Sequence, residues 1–380
     1  MTGPSRRDFI AALGVTAAVG GAGPLFARPV DDEQQAGSRP AAATPPRDLL
    51  LNYNESPYGP SPRALAAIRA AQTSLVSRYH IEETYDSLRD ALAAHHGVTR
   101  DHIRIGAGST EILKACDDVF LADGKTLIVA NPAYEAVIQY AANSKAEATR
   151  LSLTDDYAHD LPRMARTTNL STGLVYVCNP NNPSGTINRK DEVAFFMARV
   201  PESATVLFDE AYAEFVSDPG YESAVKYVKE GRNVIVAKTF SKIHGMAGMR
   251  IGYAIAKPEL IARISPFTVD YAVTGLAASA ALASVKDAAH TREVARKNAI
   301  ERTRFVAEMQ KLGLSCAEAH GNFVMVDLGR QVSPVIGALA ARRILVGREF
   351  GAMPNFLRVT LGTAAEMTAF YPAFRAAMTA

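Results

Sequence analysis

The apolar positions of this chain change their spacing several times, and each change predicts an element. Helical spacing runs through residues 61–74 and 84–95. Short apolar runs then alternate with helix-length segments from residue 103 to residue 256. Four of these runs are typical of buried strands: Thr126–Ala130, Gly173–Cys178, Thr205–Asp209 and Asn233–Ala237. The alternation predicts an α/β fold with a mainly parallel sheet and helices on both of its faces.

The last third of the chain has a different pattern. A long helix is predicted over residues 279–312, with a break near Asp287. Candidate strands follow at Phe323–Leu328, Arg343–Val346 and Leu357–Leu361. We therefore predict a large domain over residues 76–276 and a small α+β domain over residues 277–380. Residues 48–75 are predicted to form an N-terminal arm that packs with the small domain.

The first 47 residues have the composition of a leader rather than of a packed core. Ser5-Arg-Arg-Asp-Phe-Ile10 precedes an uncharged run, rich in Gly and Ala, over residues 11–26. This arrangement is typical of a twin-arginine export signal, and the run is too short and too rich in Gly to span a membrane. We predict a signal over residues 1–27, a disordered linker over residues 28–47, and a periplasmic or exported protein. The alternative is a cytoplasmic protein whose basic N-terminus matches the signal pattern by chance.

Composition excludes several classes of function. The net charge is +2 without a long basic run, so nothing indicates a nucleic-acid partner. Cys116, Cys178 and Cys316 are isolated in apolar stretches, which predicts buried thiols rather than a disulfide framework. The pair His95-His96 lacks an acidic ligand at metal-site spacing. We predict no metal site.

Lys242 is the strongest chemical candidate. It follows the predicted strand Asn233–Ala237 and lies between Thr239, Ser241 and Arg250. A lysine amine can form an imine with an aldehyde, while hydroxyl and guanidinium groups bind phosphate. Pyridoxal 5'-phosphate (PLP) carries an aldehyde and a phosphate on one ring, so the segment indicates this cofactor. A surface lysine in a Gly-rich loop would have the same local pattern.

Two other strand ends carry polar residues. Asn182 follows one strand in Asn179-Pro-Asn-Asn-Pro-Ser-Gly185, and Asp209 ends the next, with Tyr212 three residues later. A carboxylate at Asp209 would hold a pyridine nitrogen protonated and so make the ring an electron sink. The alternatives are purely structural: a turn at Asn182 and a helix cap at Asp209.

A Gly-rich turn supplies a further candidate. Ile103-Arg-Ile-Gly-Ala-Gly-Ser-Thr-Glu111 predicts a strand, a turn and a helix start, where backbone N–H groups with Ser109 and Thr110 would bind an anion. The chain order is thus phosphate loop, Asn, Asp with Tyr, and Lys with Arg.

With these motifs in this order, the chain resembles the fold type I PLP-dependent aminotransferases, and within them the histidinol-phosphate aminotransferases. The resemblance extends from about Leu50 to the C-terminus. It includes Leu51-Asn-Tyr-Asn-Glu-Ser-Pro-Tyr-Gly-Pro-Ser-Pro62 and Phe356-Leu-Arg-Val-Thr-Leu-Gly-Thr363. It implies an aspartate aminotransferase-like fold and PLP as cofactor.

The resemblance also implies residue roles around the cofactor. Lys242 would be the Schiff-base lysine and the proton shuttle, Asp209 would pair with the ring nitrogen, and Tyr212 and Asn182 would bind the ring hydroxyl. Tyr134 would stack on the ring, although a half-buried core residue is the alternative. The implied phosphate ligands are Ser109, Thr110, Thr239, Ser241 and Arg250.

Further implied roles concern the partner subunit and the substrate. Tyr79 would reach the phosphate in the neighbouring subunit, which implies a homodimer. Arg358 would bind the substrate carboxylate through its planar guanidinium, unless it is a surface arginine at a strand edge. Ser56 and Asn322 complete the predicted substrate site. Ser56 and the segment 266–275 depart from the subfamily pattern, and both regions line the substrate pocket in that family, so the resemblance implies amino transfer without fixing histidinol phosphate as the substrate.

We therefore expect a PLP-dependent aminotransferase that moves an amino group between an amino acid, or an amine like histidinol phosphate, and a 2-oxo acid. A PLP-dependent lyase or decarboxylase could use the same residues, because the substrate pocket decides which bond breaks. A catalytically silent PLP-binding protein is the remaining alternative.

Overall fold

A seven-stranded sheet is the centre of the fold in the computed structural model, which describes residues 48–79, 82–122 and 124–379. The described strands are β1 (Leu49–Leu51), β2 (Ile103–Gly106), β3 (Thr126–Asn131), β4 (Ala148–Ser152), β5 (Thr172–Cys178), β6 (Thr205–Asp209), β7 (Val234–Thr239), β8 (Gly252–Ala256), β9 (Ser315–Cys316), β10 (Phe323–Asp327), β11 (Ile344–Val346) and β12 (Phe356–Thr360). The predicted signal and linker, residues 1–47, lie outside the described residues.

Helices fill most of the chain between these strands. They are α1 (Pro62–Leu75), α2 (Glu82–His96), α3 (Ser109–Phe120), α4 (Ala136–Asn143), α5 (Leu161–Thr167), α6 (Lys190–Met197), α7 (Val225–Lys229), α8 (Pro258–Ile264), α9 (Gly275–Val285), α10 (Ala288–Gln310), α11 (Ser333–Ala340) and α12 (Ala364–Met378). Within the described residues, no helix combines the length and apolar content that a membrane crossing requires.

The large sheet confirms the predicted α/β fold. Its order is β2-β8-β7-β6-β5-β3-β4, and all neighbours are parallel except β8, which is antiparallel to β2 and β7. Every residue of β5, β6 and β7 is buried, because helices cover both faces and leave no polar side to these strands. Successive side chains of a strand point to opposite faces of the sheet. Val175 and Val206 therefore pack in the core on one face, and Leu174 and Leu207 pack in the core on the other.

The predicted helix bounds agree closely with the structure. Helix α1 begins after Ser61, whose side-chain oxygen accepts a hydrogen bond from the N–H of Ala64 at 3.1 Å. The predicted long helix is broken at Lys286 and Asp287, between α9 and α10. Strand β4 was not predicted, because Ala148-Thr-Arg-Leu-Ser152 is mostly polar, as suits its place at the edge of the sheet.

The C-terminal part has its own sheet and core. Strands β12, β10 and β9 form an antiparallel sheet, and β1 pairs in parallel with β11. The predicted arm divides its contacts, since β1 joins β11 whereas α1 packs against α9. The predicted boundary at residues 276 and 277 falls inside α9, so we propose that the passage between the two parts lies at Lys286–Asp287.

All three cysteines are free thiols. Cys116 and Cys178 are buried, as predicted, whereas Cys316 on the short edge strand β9 is only half-buried. The expectation of a buried thiol at Cys316 is therefore wrong, because an edge strand of two residues is covered on fewer sides.

Candidate active site

A cavity of about 880 Å³ opens where parallel strands of the large sheet end. Residues that follow β3, β5, β6 and β7 meet there, as expected for the carboxyl edge of an open α/β sheet. The predicted site residues that line it are Ser109, Thr110, Tyr134, Asn182, Asp209, Tyr212, Thr239, Ser241, Lys242, Arg250 and Arg358. Motifs spread over 250 residues of sequence are thus brought together by the strand order.

Lys242 lies three residues after β7, and its amine is held over the cavity. Its Nζ donates a hydrogen bond to the Tyr53 carbonyl at 2.9 Å and lies 5.7 Å from the centre of the Tyr212 ring. Burial and the positive charge of Arg358 lower the pKa of Lys242 to about 8, against the opposing effect of Glu55 and Asp209. About a tenth of the amine is therefore neutral, and able to act as a base, at pH 7, far more than for an ordinary lysine.

Asp209 ends β6 as a buried carboxylate with both oxygens held. Oδ2 accepts a hydrogen bond from the Tyr176 hydroxyl at 2.8 Å, and Oδ1 accepts one from the Ala211 N–H at 3.1 Å. Burial raises the pKa of Asp209, and these two hydrogen bonds with the charge of Lys242 oppose that rise. A cation bound in front of this carboxylate would favour its charged form.

Residues from three segments form an anion cradle at the start of α3. Gly108 precedes this helix with a φ of +78°, and a Cβ there would lie 2.6 Å from Arg250 Nη2. Glycine is needed at this position both for its backbone conformation and for the space that the guanidinium occupies. Arg250 Nη1 lies 3.4 Å from Ser241 Oγ, which in turn accepts from Thr239 Oγ1 at 3.0 Å. Helix N–H groups, hydroxyls and a guanidinium fit a phosphate.

Arg358 on β12 approaches the cavity from the opposite side. It donates from Nη1 to Asn182 Oδ1 at 2.7 Å and from Nη2 to the Asn52 carbonyl at 2.6 Å. Its Nε is buried without a hydrogen-bond partner. Gly347 leaves room for this side chain, since a Cβ at residue 347 would lie 2.9 Å from the Cβ of Arg358. Each Nη keeps a second N–H, and a guanidinium with two such donors suits a carboxylate ligand.

Tyr212 and Tyr134 also face the cavity. The Tyr212 hydroxyl accepts from Asn54 Nδ2 at 3.0 Å, and burial raises the pKa of Tyr212, so its own proton remains available for donation into the site. Asn54 is fixed in turn by Thr360, whose hydroxyl donates to Asn54 Oδ1 at 3.0 Å. Tyr134 is half-buried against the core and also lines the cavity. Its position is therefore compatible with both alternatives, a core residue and a residue that stacks on the cofactor.

Three predicted residues do not line the cavity. Tyr79 is 81% exposed and its ring lies 5.3 Å from that of Tyr271. Asn322 donates from Nδ2 to the carbonyls of Asn54 and Glu55 at 3.0 and 3.2 Å, so it supports the arm behind the site. Ser56 has a buried hydroxyl without a hydrogen-bond partner. Neither Ser56 nor Asn322 lines the cavity, and their contacts with a substrate stay a prediction.

Several cavity residues were not predicted from the sequence. Asn52, Asn54 and Glu55 come from the opening segment that resembles the aminotransferase subfamily, and Arg348 and Glu135 form an ion pair at the cavity lining. Tyr176 lies behind Asp209. The only sequence signal for Tyr176 is a single hydroxyl within an otherwise apolar strand.

A group of metal-type side chains lies elsewhere. Atoms of Asp218, Glu318 and His320 lie within 4.8 Å of one another. Arg189 already bridges the two carboxylates, with Nη2 at 2.9 Å from Asp218 and 3.2 Å from Glu318. The guanidinium supplies the positive charge that these carboxylates need.

Comparison with known proteins agrees with this geometry. The family model for aminotransferases of class I and II matches residues 46–374. The chain belongs to this family. Among its relatives is a histidinol-phosphate aminotransferase of Symbiobacterium thermophilum, 37% identical over 87% of this chain and 91% of the relative. Another, from Moorella thermoacetica, is 37% identical over 86% of this chain and 84% of the relative.

A solved structure extends the comparison to the fold. The histidinol-phosphate aminotransferase of Sinorhizobium meliloti in complex with pyridoxal 5'-phosphate is 27% identical, with a TM-score of 0.82. The match covers 87% of this chain and 90% of that one. This aminotransferase is therefore PLP-dependent, and its anion cradle, buried Asp209 and partly neutral Lys242 fit the phosphate, ring nitrogen and aldehyde of that cofactor.

Proposed function

We propose that this aminotransferase moves an amino group between an amino acid, or an amine like histidinol phosphate, and a 2-oxo acid, with Lys242 as the residue that moves the proton. The observation that carries the proposal is one cavity that contains Lys242, Asp209 and Arg358 together. These three side chains offer a base, an anion and a carboxylate-binding cation.

Each residue has a part in this chemistry. Bound PLP supplies an electron sink for the carbanion that forms at the substrate Cα. Asp209 binds the ring nitrogen and keeps its positive charge, while Asn182 and Tyr212 bind the ring hydroxyl. Lys242 Nζ would hold the aldehyde of bound PLP and, as a free neutral amine, would move the proton at the substrate Cα. Arg358 would orient the substrate carboxylate through the Nη hydrogens that Asn182 and Asn52 leave free.

A second arginine supports a substrate with another anionic group. Arg348 and Arg358 both lie over the ring of Phe350, with guanidinium carbons 4.5 and 5.3 Å from its centre. Arg348 is paired with Glu135, and an anionic group of the substrate would compete with that carboxylate. This arrangement supports a phosphate or a second carboxylate on the substrate, in line with the names of the relatives.

The test is a half-reaction measured with the purified holoenzyme. We expect one donor from a panel of amino acids and histidinol phosphate to convert the bound cofactor to its amine form and to release a carbonyl product. Release of carbon dioxide or ammonia in place of that conversion would favour a decarboxylase or lyase. Absence of any turnover across the panel would favour a silent PLP-binding protein.

The lowered pKa of Lys242 predicts how cofactor binding depends on pH. Imine formation needs the neutral amine, so the rate constant for PLP binding to the apoprotein should rise about tenfold per pH unit below pH 8 and level off above it. Stopped-flow absorbance at a series of pH values measures this. A plateau reached only near 10.5, the pKa of an ordinary lysine, would contradict the prediction.

We further propose that the enzyme is a homodimer. Large apolar side chains of two segments are 50% to 81% exposed: Val76, Tyr79, Phe267, Val269 and Tyr271. The two segments, distant in sequence, meet through the Tyr79 and Tyr271 rings. Exposed apolar side chains of this size favour association, and a second copy would cover Tyr79 and bring it toward the neighbouring site.

Mixed dimers test whether Tyr79 acts in the partner's site. We expect a hybrid of a Lys242→Ala protomer with a Tyr79→Phe protomer to contain one complete site, with the PLP affinity and activity of a wild-type site. The matched control places both substitutions on one protomer and pairs it with wild type, which leaves no complete site. Equal behaviour of the two hybrids would contradict a contribution of Tyr79 across the interface.

We also propose export through the twin-arginine route, which rests on residues 1–27 alone. We expect the wild-type protein in the periplasm, shortened near Ala27, and an Arg6→Lys, Arg7→Lys variant in the cytoplasm at full length. Cell fractionation with intact-mass measurement distinguishes these, and Arg28→Lys serves as the control. Wild-type protein found solely in the cytoplasm with residues 1–27 retained would overturn the proposal.

A further inference from the structure

Tyr176 is a polar residue inside the core that touches the site without lining the cavity. Its side chain is fully buried in β5 among apolar residues such as Leu174 and Leu207. A buried hydroxyl costs free energy unless it is hydrogen-bonded, and its partner is Asp209 Oδ2 at 2.8 Å. The hydroxyl therefore depends on the carboxylate, and the orientation of the carboxylate depends on the hydroxyl.

The sheet geometry explains how the two residues meet. In the parallel register of β5 and β6, Tyr176 is opposite Leu207 and Cys178 is opposite Asp209. Tyr176 and Asp209 face the same side of the sheet, and the long phenol spans the offset of two residues. Phenylalanine would fill the same volume without reaching the carboxylate, so packing alone does not account for the hydroxyl.

The electrostatics around Asp209 give the hydroxyl a role. The groups that face Asp209 are Tyr176, Cys178, Tyr134, Tyr212, Lys242 and Glu210. Burial raises the pKa of Asp209, whereas hydrogen bonds from Tyr176 and Ala211 favour its charged form. Burial also raises the pKa of Tyr176, so the phenol keeps its proton and remains a donor.

We propose that Tyr176 is a positioning residue of this aminotransferase, which fixes the Asp209 carboxylate toward the PLP ring nitrogen and keeps it a charged acceptor. This inference rests on the proposed role of Asp209. The Ala211 N–H holds the other oxygen, so the two donors together set the plane of the carboxylate. Loss of the phenol hydroxyl leaves one donor to hold the buried charge.

The experiment compares Tyr176→Phe with Tyr371→Phe. Tyr371 is the matched control, because its hydroxyl is buried in the core of the C-terminal part and has no hydrogen-bond partner. Equilibrium dialysis measures the PLP dissociation constant, and the 15N chemical shift of PLP labelled at its ring nitrogen measures the protonation of that nitrogen in the holoprotein. We expect Tyr176→Phe to weaken PLP binding about tenfold and to lower the protonated fraction, while Tyr371→Phe changes neither.

A double-variant comparison decides whether Tyr176 acts through Asp209. Asp209→Asn and the double variant Asp209→Asn, Tyr176→Phe should bind PLP equally, because the charge that the hydroxyl stabilises is already absent. This pair also serves if Tyr176→Phe alone does not fold. Unchanged affinity and 15N shift in Tyr176→Phe, or a further loss in the double variant, would overturn the inference. Failure of the wild type to bind PLP would instead contradict the proposed function.

Discussion

Replacing Lys242 with alanine is expected to lower turnover by about 10²- to 10⁴-fold. Lys242 is the only lysine among the described residues that line the cavity, so the variant has no lysine amine there. The anion cradle and Asp209 remain, so PLP should still bind, although without its bond to the chain. A single-turnover assay with saturating PLP measures the loss.

Lys286→Ala is the matched control for this prediction, because Lys286 is exposed after α9 and does not line the cavity. We expect wild-type turnover from it. A small primary amine added to Lys242→Ala should restore part of the rate, since it can replace the missing base. Turnover of Lys242→Ala within tenfold of wild type would exclude Lys242 as the residue that moves the proton.

Replacing Asp209 with asparagine is expected to lower kcat/KM by roughly two to four powers of ten. Asparagine keeps the size of the side chain but removes the negative charge, and breaking a buried charge pair costs about 3–5 kcal/mol. The loss should be accompanied by a lower protonated fraction of the ring nitrogen. Steady-state kinetics at saturating PLP, with the same 15N measurement, test both effects.

Asp155→Asn removes one negative charge from an exposed turn and serves as the control. Its kcat/KM should equal that of the wild type, which would separate the effect of Asp209 from a general change in charge. If Asp209→Asn retained kcat/KM within tenfold of wild type, the charge at residue 209 would have no part in the reaction.

The residues that sequence motifs predicted best are those that lie at strand ends. Asp209, Asn182 and Lys242 each follow a continuous apolar run, and parallel strands of one sheet end at the same edge. Local patterns therefore contained the information needed to bring these residues together. The bounds of the fold followed in the same way, since β6 and the break between α9 and α10 correspond to clear changes in apolar spacing.

Other features depend on contacts that no local pattern records. Tyr176 looks like a core residue in sequence, and only the register of β5 with β6 brings its hydroxyl to Asp209. Ser56 and Asn322 were expected at the substrate, yet Asn322 uses its amide to hold the arm. The resemblance supplied the residue positions, whereas the direction of each side chain is set by packing.

The contact between Arg358 and Asn52 joins residues separated by 306 positions, and Thr360 and Asn54 have the same separation. The side of the cavity that contains Arg358 is thus built from the last described strand and from the residues that directly follow the first one. During synthesis, a ribosome must have released nearly the whole chain before these partners can meet. Any truncated product that ends before β12 lacks Arg358, so it cannot contain the complete site.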